Sequence, residues 1–231
     1  MTLPLLLVPG LLCSARLFAP QLAALWPHGA IMVADHRRAQ TMDEIADGIL
    51  ANAPPKFALA GLSMGGYIAF AMLQRAPERI AKLALLDTSA RADTPEQTAA
   101  RERLIGMAEA GQLADIVALL TPRFLHPRRH GDEALRRVVR QMGDETGSEA
   151  FVRQQRAIMS RPDSRPLLSA IRCPALVLVG DGDELTPPAL AEEIAAGIPG
   201  ARLEVVPDCG HLSTLEQPEK VNAALATWLT A

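Results

Sequence analysis

The 231-residue sequence has no continuous apolar stretch of 18 residues, no long run of like charge and only three cysteines. Without such a stretch, no segment is predicted to span a membrane. The formal net charge of −3 gives no electrostatic basis for binding nucleic acid or another polyanion. The cysteines, Cys13, Cys173 and Cys209, are odd in number and lack metal-ligand spacing. This usage favours a reducing compartment over a disulfide framework.

The apolar residues 3–8 have the character of a signal-peptide core, but no basic residue precedes them. Pro4 and Pro9 also interrupt the run. We therefore expect a cytoplasmic protein rather than a secreted one. With 231 residues, 49% of them hydrophobic, the chain is long enough to fold alone as one domain, with or without an insertion.

Short apolar runs alternate with longer amphipathic segments, a pattern typical of an α/β fold with a mostly parallel sheet and helices on both faces. Thr41 with Glu44, and Ser213 with Glu216, fit the capping box that starts a helix. The last helix is predicted to bury one face that carries Val221, Leu225 and Trp228. The predicted strands are residues 3–8, 30–34, 57–62, 83–86, 175–179 and 203–206.

Between residues 90 and 166 the strand signals stop, and the sequence becomes helical and rich in arginine. We predict a helical lid inserted here, with residues 1–89 and 167–231 forming the core. Acidic residues are interleaved with the arginines, which favours a solvated face over a phosphate-binding surface. Glycines at 111, 131, 143 and 147 are predicted to divide the insertion into about four short helices.

A G-x-S-x-G pattern runs from Gly61 to Gly65 and centres on Ser63. An apolar predicted strand precedes it and a helical pattern follows it, which is the context of a nucleophilic serine on a sharp strand-to-helix turn. A serine hydroxyl is a weak nucleophile at neutral pH, so it needs a neighbouring base and a third group that orients the base.

His211 is the best candidate for the base among five histidines. It follows the last predicted strand, at the sheet edge where Ser63 is also expected. His28 lies in a turn and His36 among charged residues in a loop. His126 and His130 have a spacing that could suit a metal, but Pro127 breaks the helix and no third ligand is evident, so no metal site is predicted.

The orienting carboxylate is expected after the strand that ends at residue 179, where Asp181 and Asp183 are both candidates. One of them could serve only to shape the turn. The order serine, aspartate, histidine is the one found in α/β-hydrolases. The oxyanion of the reaction needs two backbone N–H donors, which we assign to Met64, directly after the nucleophile, and to Leu11, after the first strand.

The sequence resembles the α/β-hydrolase superfamily along nearly its whole length, through Val8-Pro9-Gly10, Gly61 to Gly66, Gly180 to Pro188, and Gly210-His211 running into Leu215 to Pro218. It is most similar to the compact esterases, enol-lactonases and pimeloyl-carrier-protein methyl esterases. Most members begin with an antiparallel hairpin, whereas here the strand before the oxyanion loop starts at Leu3. The resemblance therefore implies a sheet shortened to six strands.

The resemblance also bears on individual residues. It favours Asp183 as the acid, because the family acid usually ends a G-x-x-D turn, although some relatives carry it at the position of Asp87. In the methyl esterases a lid helix presents an aromatic residue and a glutamine four residues later, which match Phe151 and Gln155. These two side chains, with Leu12, are expected to bind substrate, although Phe151 could equally belong to the lid core.

Together these features predict a serine hydrolase that cleaves small carboxylic esters through an acyl-enzyme on Ser63. The predicted reaction requires no cofactor, and the sequence does not indicate an oligomeric state. A lining of Leu11, Leu12, Met64 and Phe151 would favour uncharged acyl groups. A preference for charged ones would point to lid arginines such as Arg153 or Arg156. The same triad could serve a lactonase, a thioesterase, a peptidase or a lyase, or survive in a non-catalytic small-ligand receptor.

Overall fold

Six short apolar runs form one parallel sheet in the computed structural model, which describes residues 3–231. The strand order is β2-β1-β3-β4-β5-β6, and every neighbouring pair is parallel. All six predicted strands are present, with ends within three residues of the predicted ones, so the six-stranded α/β prediction is confirmed. The strands are β1 (Leu5–Val8), β2 (Ile31–Val33), β3 (Phe57–Leu62), β4 (Ile80–Leu86), β5 (Ala175–Gly180) and β6 (Arg202–Val206).

The central strands are buried on both faces, as expected for a parallel sheet covered by helices. In β1, Leu6 and Val8 point into one core, and Leu5 and Leu7 point into the other. This alternation follows from the two-residue period of a strand. The sheet therefore separates two hydrophobic cores.

Within residues 3–231, ten helices surround the sheet or extend from it. Helices α2, α3 and α8 contribute to the core on one face, and α1 and α10 to the core on the other. Val221, Leu225 and Trp228 of α10 are buried together, which confirms the predicted face. The helices are α1 (Ala19–Leu25), α2 (Met42–Leu50), α3 (Met64–Arg75), α4 (Pro95–Glu109), α5 (Leu113–Phe124), α6 (Glu133–Met159), α7 (Arg165–Leu168), α8 (Pro188–Gly197), α9 (Ser213–Glu216) and α10 (Pro218–Thr230), with 3₁₀ turns at Ala15–Phe18, Trp26–His28, Pro77–Arg79 and Pro127–Arg129.

The two predicted helix starts have different outcomes. The hydroxyl of Thr41 accepts a hydrogen bond from Glu44 N at 3.2 Å, as a cap should. The prediction for Ser213 is wrong, because Leu212 precedes α9 and Ser213 lies inside it. The Ser213 hydroxyl instead donates to the buried carboxylate of Asp87. A hydrogen bond to a buried carboxylate far away in the sequence thus replaces the predicted capping contact within the helix.

Helices α4, α5 and α6 lie between β4 and β5, within the segment 90–166, which we call the insertion. Gly147 breaks α6 with a φ of 76°, so four helical stretches are present. Gly143 does not break the helix; instead, an added Cβ there would lie 2.6 Å from a methyl of Val117. Among residues 3–231, no helix is both long and apolar enough to cross a membrane.

Candidate active site

The sheet topology places the candidate site at one edge. The chain goes from β1 to β2 on one side and then to β3 on the other side of β1. The carboxyl ends of β1 and β3 therefore flank a topological switch point, where open α/β sheets bind their ligands. Gly10 follows β1 and Ser63 follows β3, and a Cβ added to Gly10 would lie 3.3 Å from that of Ser63. The two predicted loops thus meet.

Ser63 occupies a strained turn between β3 and α3. Its φ of 56° and ψ of −116° are rare for a residue with a side chain. Strain of this kind persists only where the surroundings impose it. Here Ser63 N donates to Leu86 O at 2.9 Å, and the backbone packs so closely that a Cβ on Gly61 or Gly65 would lie 2.3 Å or less from a carbonyl oxygen. The turn therefore presents the serine hydroxyl at the sheet edge.

Three predicted side chains form a continuous hydrogen-bonded chain. Ser63 Oγ lies 2.8 Å from Nε2 of His211, and Nδ1 of His211 lies 2.8 Å from Oδ2 of Asp183. Asp183 is fixed by Thr186, whose backbone N and hydroxyl donate to its two oxygens, and by Leu185 N. This is the arrangement of nucleophile, base and orienting acid that acyl transfer uses.

The acidic residues around His211 raise the pKa of its imidazole. Burial by itself lowers the pKa of His211, but the Asp183 carboxylate, with smaller contributions from Asp87 and Glu216, raises it above its ordinary value. Burial by itself raises the pKa of Asp183, and the opposing interaction with His211 and the hydrogen bonds from Thr186 hold it below its usual range. Asp183 is therefore ionised when His211 acts as a base.

The two alternative acids have other partners. Asp181 accepts a hydrogen bond from Cys209 N at 3.1 Å and thereby shapes the turn. Asp87, after β4, accepts from Gly180 N at 3.0 Å and from the Ser213 hydroxyl. Burial and the nearby Asp183 carboxylate raise the pKa of Asp87 well above its usual value.

The two predicted oxyanion donors are backbone N–H groups, one at the start of α3 and one in the loop after β1. Met64 is the first residue of the twelve-residue helix α3, and Leu11 lies in the loop after β1 and lines the cavity beside Ser63. Neither N–H has an acceptor among residues 3–231. A helix N-terminus also carries a partial positive charge that stabilises an anion. The arrangement is suited to an oxyanion that forms next to Ser63.

Two buried residues that sequence reasoning did not select hold the Leu11 loop. Nε2 of His36 lies 2.9 Å from the carbonyl oxygen of Gly10, and Gln154 Oε1 accepts from Leu12 N at 3.2 Å. Burial lowers the pKa of His36, so its neutral form can donate to Gly10. Leu12 itself has a φ of 58°. The sequence around His36 does not indicate this role, because the role depends on a contact with Gly10, 26 positions earlier.

The insertion is anchored to the histidine loop. His211 N and Leu212 N both donate to the carbonyl of Phe124, at 3.1 Å each. Glu216 accepts from Gly210 N at 3.0 Å through one carboxylate oxygen and from His126 N at 2.8 Å through the other. His130 is held separately, with Nε2 2.8 Å from Pro122 O. The end of α5 therefore positions the loop that carries His211.

A cavity of about 300 Å³ opens beside Ser63 and His211, between the sheet edge and the insertion. Gln155 lines it, as the family resemblance implied, and so does Leu11. Phe151 and Leu12 are both buried in the same hydrophobic core, and neither belongs to the cavity wall. The arginines in the wall are Arg91, Arg101, Arg123 and Arg161 rather than Arg153 or Arg156.

Comparisons with known proteins identify the family of this chain and proteins of similar fold. Residues 5–224 match the model of a family described as alpha/beta hydrolase. A pimeloyl-[acyl-carrier protein] methyl ester esterase of Aromatoleum aromaticum is 30% identical over 193 residues, which cover 79% of this chain and 77% of the relative. A thermophilic esterase of Thermogutta terrifontis, solved with malate bound, is 34% identical with a TM-score of 0.89, covering 99% of this chain and 89% of that one. The enol-lactonase of Burkholderia xenovorans is 26% identical with a TM-score of 0.90, covering 100% and 92%.

Proposed function

We propose that this chain, which belongs to the alpha/beta hydrolase family, hydrolyses small carboxylic esters through an acyl-enzyme on Ser63. The observation that carries the proposal is the chain of two 2.8 Å contacts from Ser63 Oγ through His211 to Asp183. The relatives named as esterases support ester hydrolysis at the level of the family. No cofactor is needed for this reaction, because the chain supplies nucleophile, base and oxyanion donors.

In the proposed first step, His211 Nε2 takes the hydroxyl proton of Ser63 as Oγ attacks the ester carbonyl carbon. The carbonyl oxygen becomes an oxyanion that accepts hydrogen bonds from Leu11 N–H and Met64 N–H. His211 then gives its proton to the leaving alkoxide, the C–O bond breaks and the alcohol departs. The acyl group stays on Ser63 as an ester.

The second step uses water in the place of the serine. His211 removes a proton from the water, the hydroxide attacks the acyl carbon, and the same two N–H groups hold the oxyanion. Return of the proton to Ser63 Oγ releases the carboxylic acid and regenerates the enzyme. Throughout, Asp183 keeps the imidazole in the tautomer that leaves Nε2 free to accept a proton.

We further propose that residues 90–166 act as a lid over the core formed by residues 1–89 and 167–231. Leu104 of α4, Phe124 of α5 and Gln155 of α6 all line the cavity that contains Ser63. A cover of this kind excludes water and strengthens the electrostatic interactions within the site. The volume of about 300 Å³ lies at the small end of ligand sites and favours a small acyl group.

We place the reaction in the cytoplasm. Cys13, Cys173 and Cys209 are all free thiols, which fits a reducing compartment. Burial raises the pKa of Cys13 to about 12 and that of Cys209 above its ordinary value as well. Both thiols are therefore protonated and do not compete with Ser63 as nucleophiles.

The test combines a serine-directed probe with a substrate panel. A fluorophosphonate should label the wild type at Ser63 and leave Ser63→Ala unlabelled. The panel is p-nitrophenyl esters of increasing acyl length, assayed beside lactones, thioesters and peptides. We expect the short esters to have the highest kcat/KM.

Other outcomes identify the alternatives. Faster turnover of a lactone, thioester or peptide would replace the ester assignment with that activity. Labelling without turnover of any substrate would indicate a ligand receptor. Turnover that persists in Ser63→Ala would contradict the acyl-enzyme and favour a lyase-type reaction.

A further inference from the structure

We infer that the cavity beside Ser63 holds a subsite for a carboxylate group of the substrate, formed by Arg101 and Gln155. The inference rests on the proposed function, because it names the class of ester that the site accepts. It concerns the part of the cavity wall that α4 and α6 supply. The substrate would be a half-ester of a dicarboxylic acid, or a hydroxy acid that is esterified at its hydroxyl and keeps its carboxylate free.

The wall of the cavity is positively charged. Four arginines line it, and no aspartate or glutamate of the described chain does so. Arg91 is compensated by Glu193 at 2.9 Å. Arg101 and Arg161 share one carboxylate, that of Asp93, at 2.6 and 2.7 Å. These three residues therefore leave one positive charge in excess, next to the space that the substrate would fill.

Arg123 adds to this charge. It lies in the cavity wall and forms no ion pair with any residue from 3 to 231. Arg161 also lies 4.1 Å from the ring centroid of Tyr67, which lines the same cavity. A cavity wall with an excess of positive charge favours an anionic ligand over a neutral one of the same shape.

Gln155 contributes a hydrogen-bond donor that has no partner. Its Oε1 accepts from Arg101 Nη1 at 2.8 Å, and since arginine has no acceptor atom this contact fixes which end of the amide is the oxygen. The opposite end, Nε2, is buried and has no hydrogen-bond acceptor within the described part of the chain. A buried unpaired N–H is unfavourable, and a ligand oxygen would relieve it.

Arg101 is held in a fixed orientation beside that donor. Its Nε and Nη2 face Asp93, at 2.6 and 3.4 Å, and Nη1 faces Gln155. Nη1 and Nη2 each carry a second N–H that these contacts leave free. The guanidinium and the neighbouring amide thus lie side by side, and both have N–H groups that no other residue of the described chain accepts. A carboxylate, with two coplanar oxygens and one negative charge, satisfies both the geometry and the charge.

The first experiment compares matched substrates. For each chain length from succinate to pimelate, the monomethyl ester is assayed beside the same compound with its free carboxylate converted to a primary amide. The two have nearly the same shape and differ in charge. We expect kcat/KM to favour the carboxylate by about 10-fold to 100-fold at one chain length or more. O-Acetyl hydroxy acids, whose free carboxylate lies on the alcohol side of the ester, then show whether the carboxylate belongs on the acyl side or on the alcohol side.

Variants assign the preference to the two residues. Gln155→Leu and Arg101→Met should bring the carboxylate-to-amide ratio close to one. Turnover of the amide substrate in the same variants reports whether the triad and the fold are intact. If Arg101→Met does not fold, because Asp93 loses a partner, Gln155→Leu decides. Arg156→Met is the matched control, because Arg156 follows Gln155 on α6 but pairs with Glu109 at the surface; its ratio should stay at the wild-type value.

A binding measurement separates this inference from the proposed function. In Ser63→Ala, glutarate and adipate are titrated by calorimetry beside their diamides. Arg101-dependent binding of the diacids supports the subsite even if no ester is hydrolysed. Turnover of neutral esters with equal kcat/KM for both members of every pair, and no diacid binding, would overturn the subsite while the esterase proposal stands.

Discussion

Asp87 and Asp183 follow adjacent strands of the sheet, and the negative charge of each raises the pKa of His211, but their hydrogen bonds differ. Asp183 Oδ2 lies 2.8 Å from His211 Nδ1, whereas Asp87 accepts from Gly180 N and from the Ser213 hydroxyl. The two carboxylates therefore divide two tasks. Asp183 contacts the imidazole of His211, the proposed base, and Asp87 joins the end of β5 at Gly180 to the start of α9 at Ser213.

Replacement of the acids should separate these roles. Asp183→Asn keeps the shape but stabilises the wrong tautomer of His211, so we expect a loss on the order of 10⁴ in kcat. Asp181→Asn and Asp87→Asn should each lose far less. The measurement is steady-state turnover of a short p-nitrophenyl ester, with circular dichroism as the control for folding. A near-normal Asp183→Asn together with an inactive Asp87→Asn would transfer the assignment to Asp87.

Ser63→Ala should abolish ester turnover to the level supplied by the oxyanion donors alone. The fold should remain, since the close backbone contacts at Gly61 and Gly65 do not involve the serine side chain. Active-site titration of the purified variant excludes a contaminating hydrolase. Substantial turnover in such a preparation would mean that Ser63 is not the nucleophile.

Activity should fall on the acid side at a higher pH than for an ordinary histidine. His211 must be neutral to accept a proton, and the Asp183 carboxylate raises its pKa. As the pH decreases through that raised pKa, the imidazole becomes protonated and kcat/KM decreases. The midpoint of the acid limb should therefore lie above the ordinary imidazole value of about 6.5. In Asp183→Asn the midpoint should shift to lower pH, and an unchanged midpoint would contradict the electrostatic assignment.

Gly65→Ala should disrupt the serine turn. Its Cβ would lie 2.0 Å from Val8 O, in the backbone that leads to the Leu11 donor. We expect a decrease of about 2 kcal/mol or more in the free energy of unfolding, with loss of activity. Gly48→Ala is the control, because Gly48 is exposed in α2 with nothing within 4 Å of the new Cβ. That variant should be more stable by about 0.5–1 kcal/mol in urea unfolding; equal effects at both sites would refute the steric argument.

Glu216→Gln should weaken the connection between the insertion and the histidine loop. One carboxylate oxygen would become an NH₂ group facing a backbone N–H of Gly210 or His126. We expect a loss of about 1–3 kcal/mol in stability and a lower kcat from the less ordered His211. The exposed Glu102→Gln on α4 serves for comparison and should change neither quantity. If both variants behave alike, the buried carboxylate has no such role.

Local signals were sufficient for much of this structure. Some segments have a conformation that their own residues determine, such as the apolar runs of β3 and β5 and the turn from Gly61 to Gly65. The strands could therefore be predicted, and with them the loops in which Ser63, Asp183 and His211 meet. The order of loops at a parallel sheet edge then places distant residues together. This holds because the information lies within a few residues of each feature.

The cavity wall could not be predicted in the same way. Arg101 and Gln155 are 54 positions apart and meet only because α4 packs against α6. Gln155 was predicted to bind substrate only through the family resemblance, and Arg101 is one of many arginines that the sequence places on a solvated face. Ser213 shows the same limit, since its capping pattern was overridden by Asp87, which lies 126 positions earlier. Contacts between separate helices and strands arise from packing, and no periodic pattern in the sequence indicates them.

The carbonyl oxygen of Phe124 accepts hydrogen bonds from both His211 N and Leu212 N. These bonds matter for chimeric enzymes in which the insertion is exchanged between relatives. The insertion and His211, the proposed base, are therefore structurally coupled. An exchange of residues 90–166 with a relative, made to change substrate preference, also exchanges the acceptor that holds the histidine loop. Chimeras should therefore inherit selectivity and base geometry together, and a crossover that keeps residues 124–126 from this chain is the one that uncouples them.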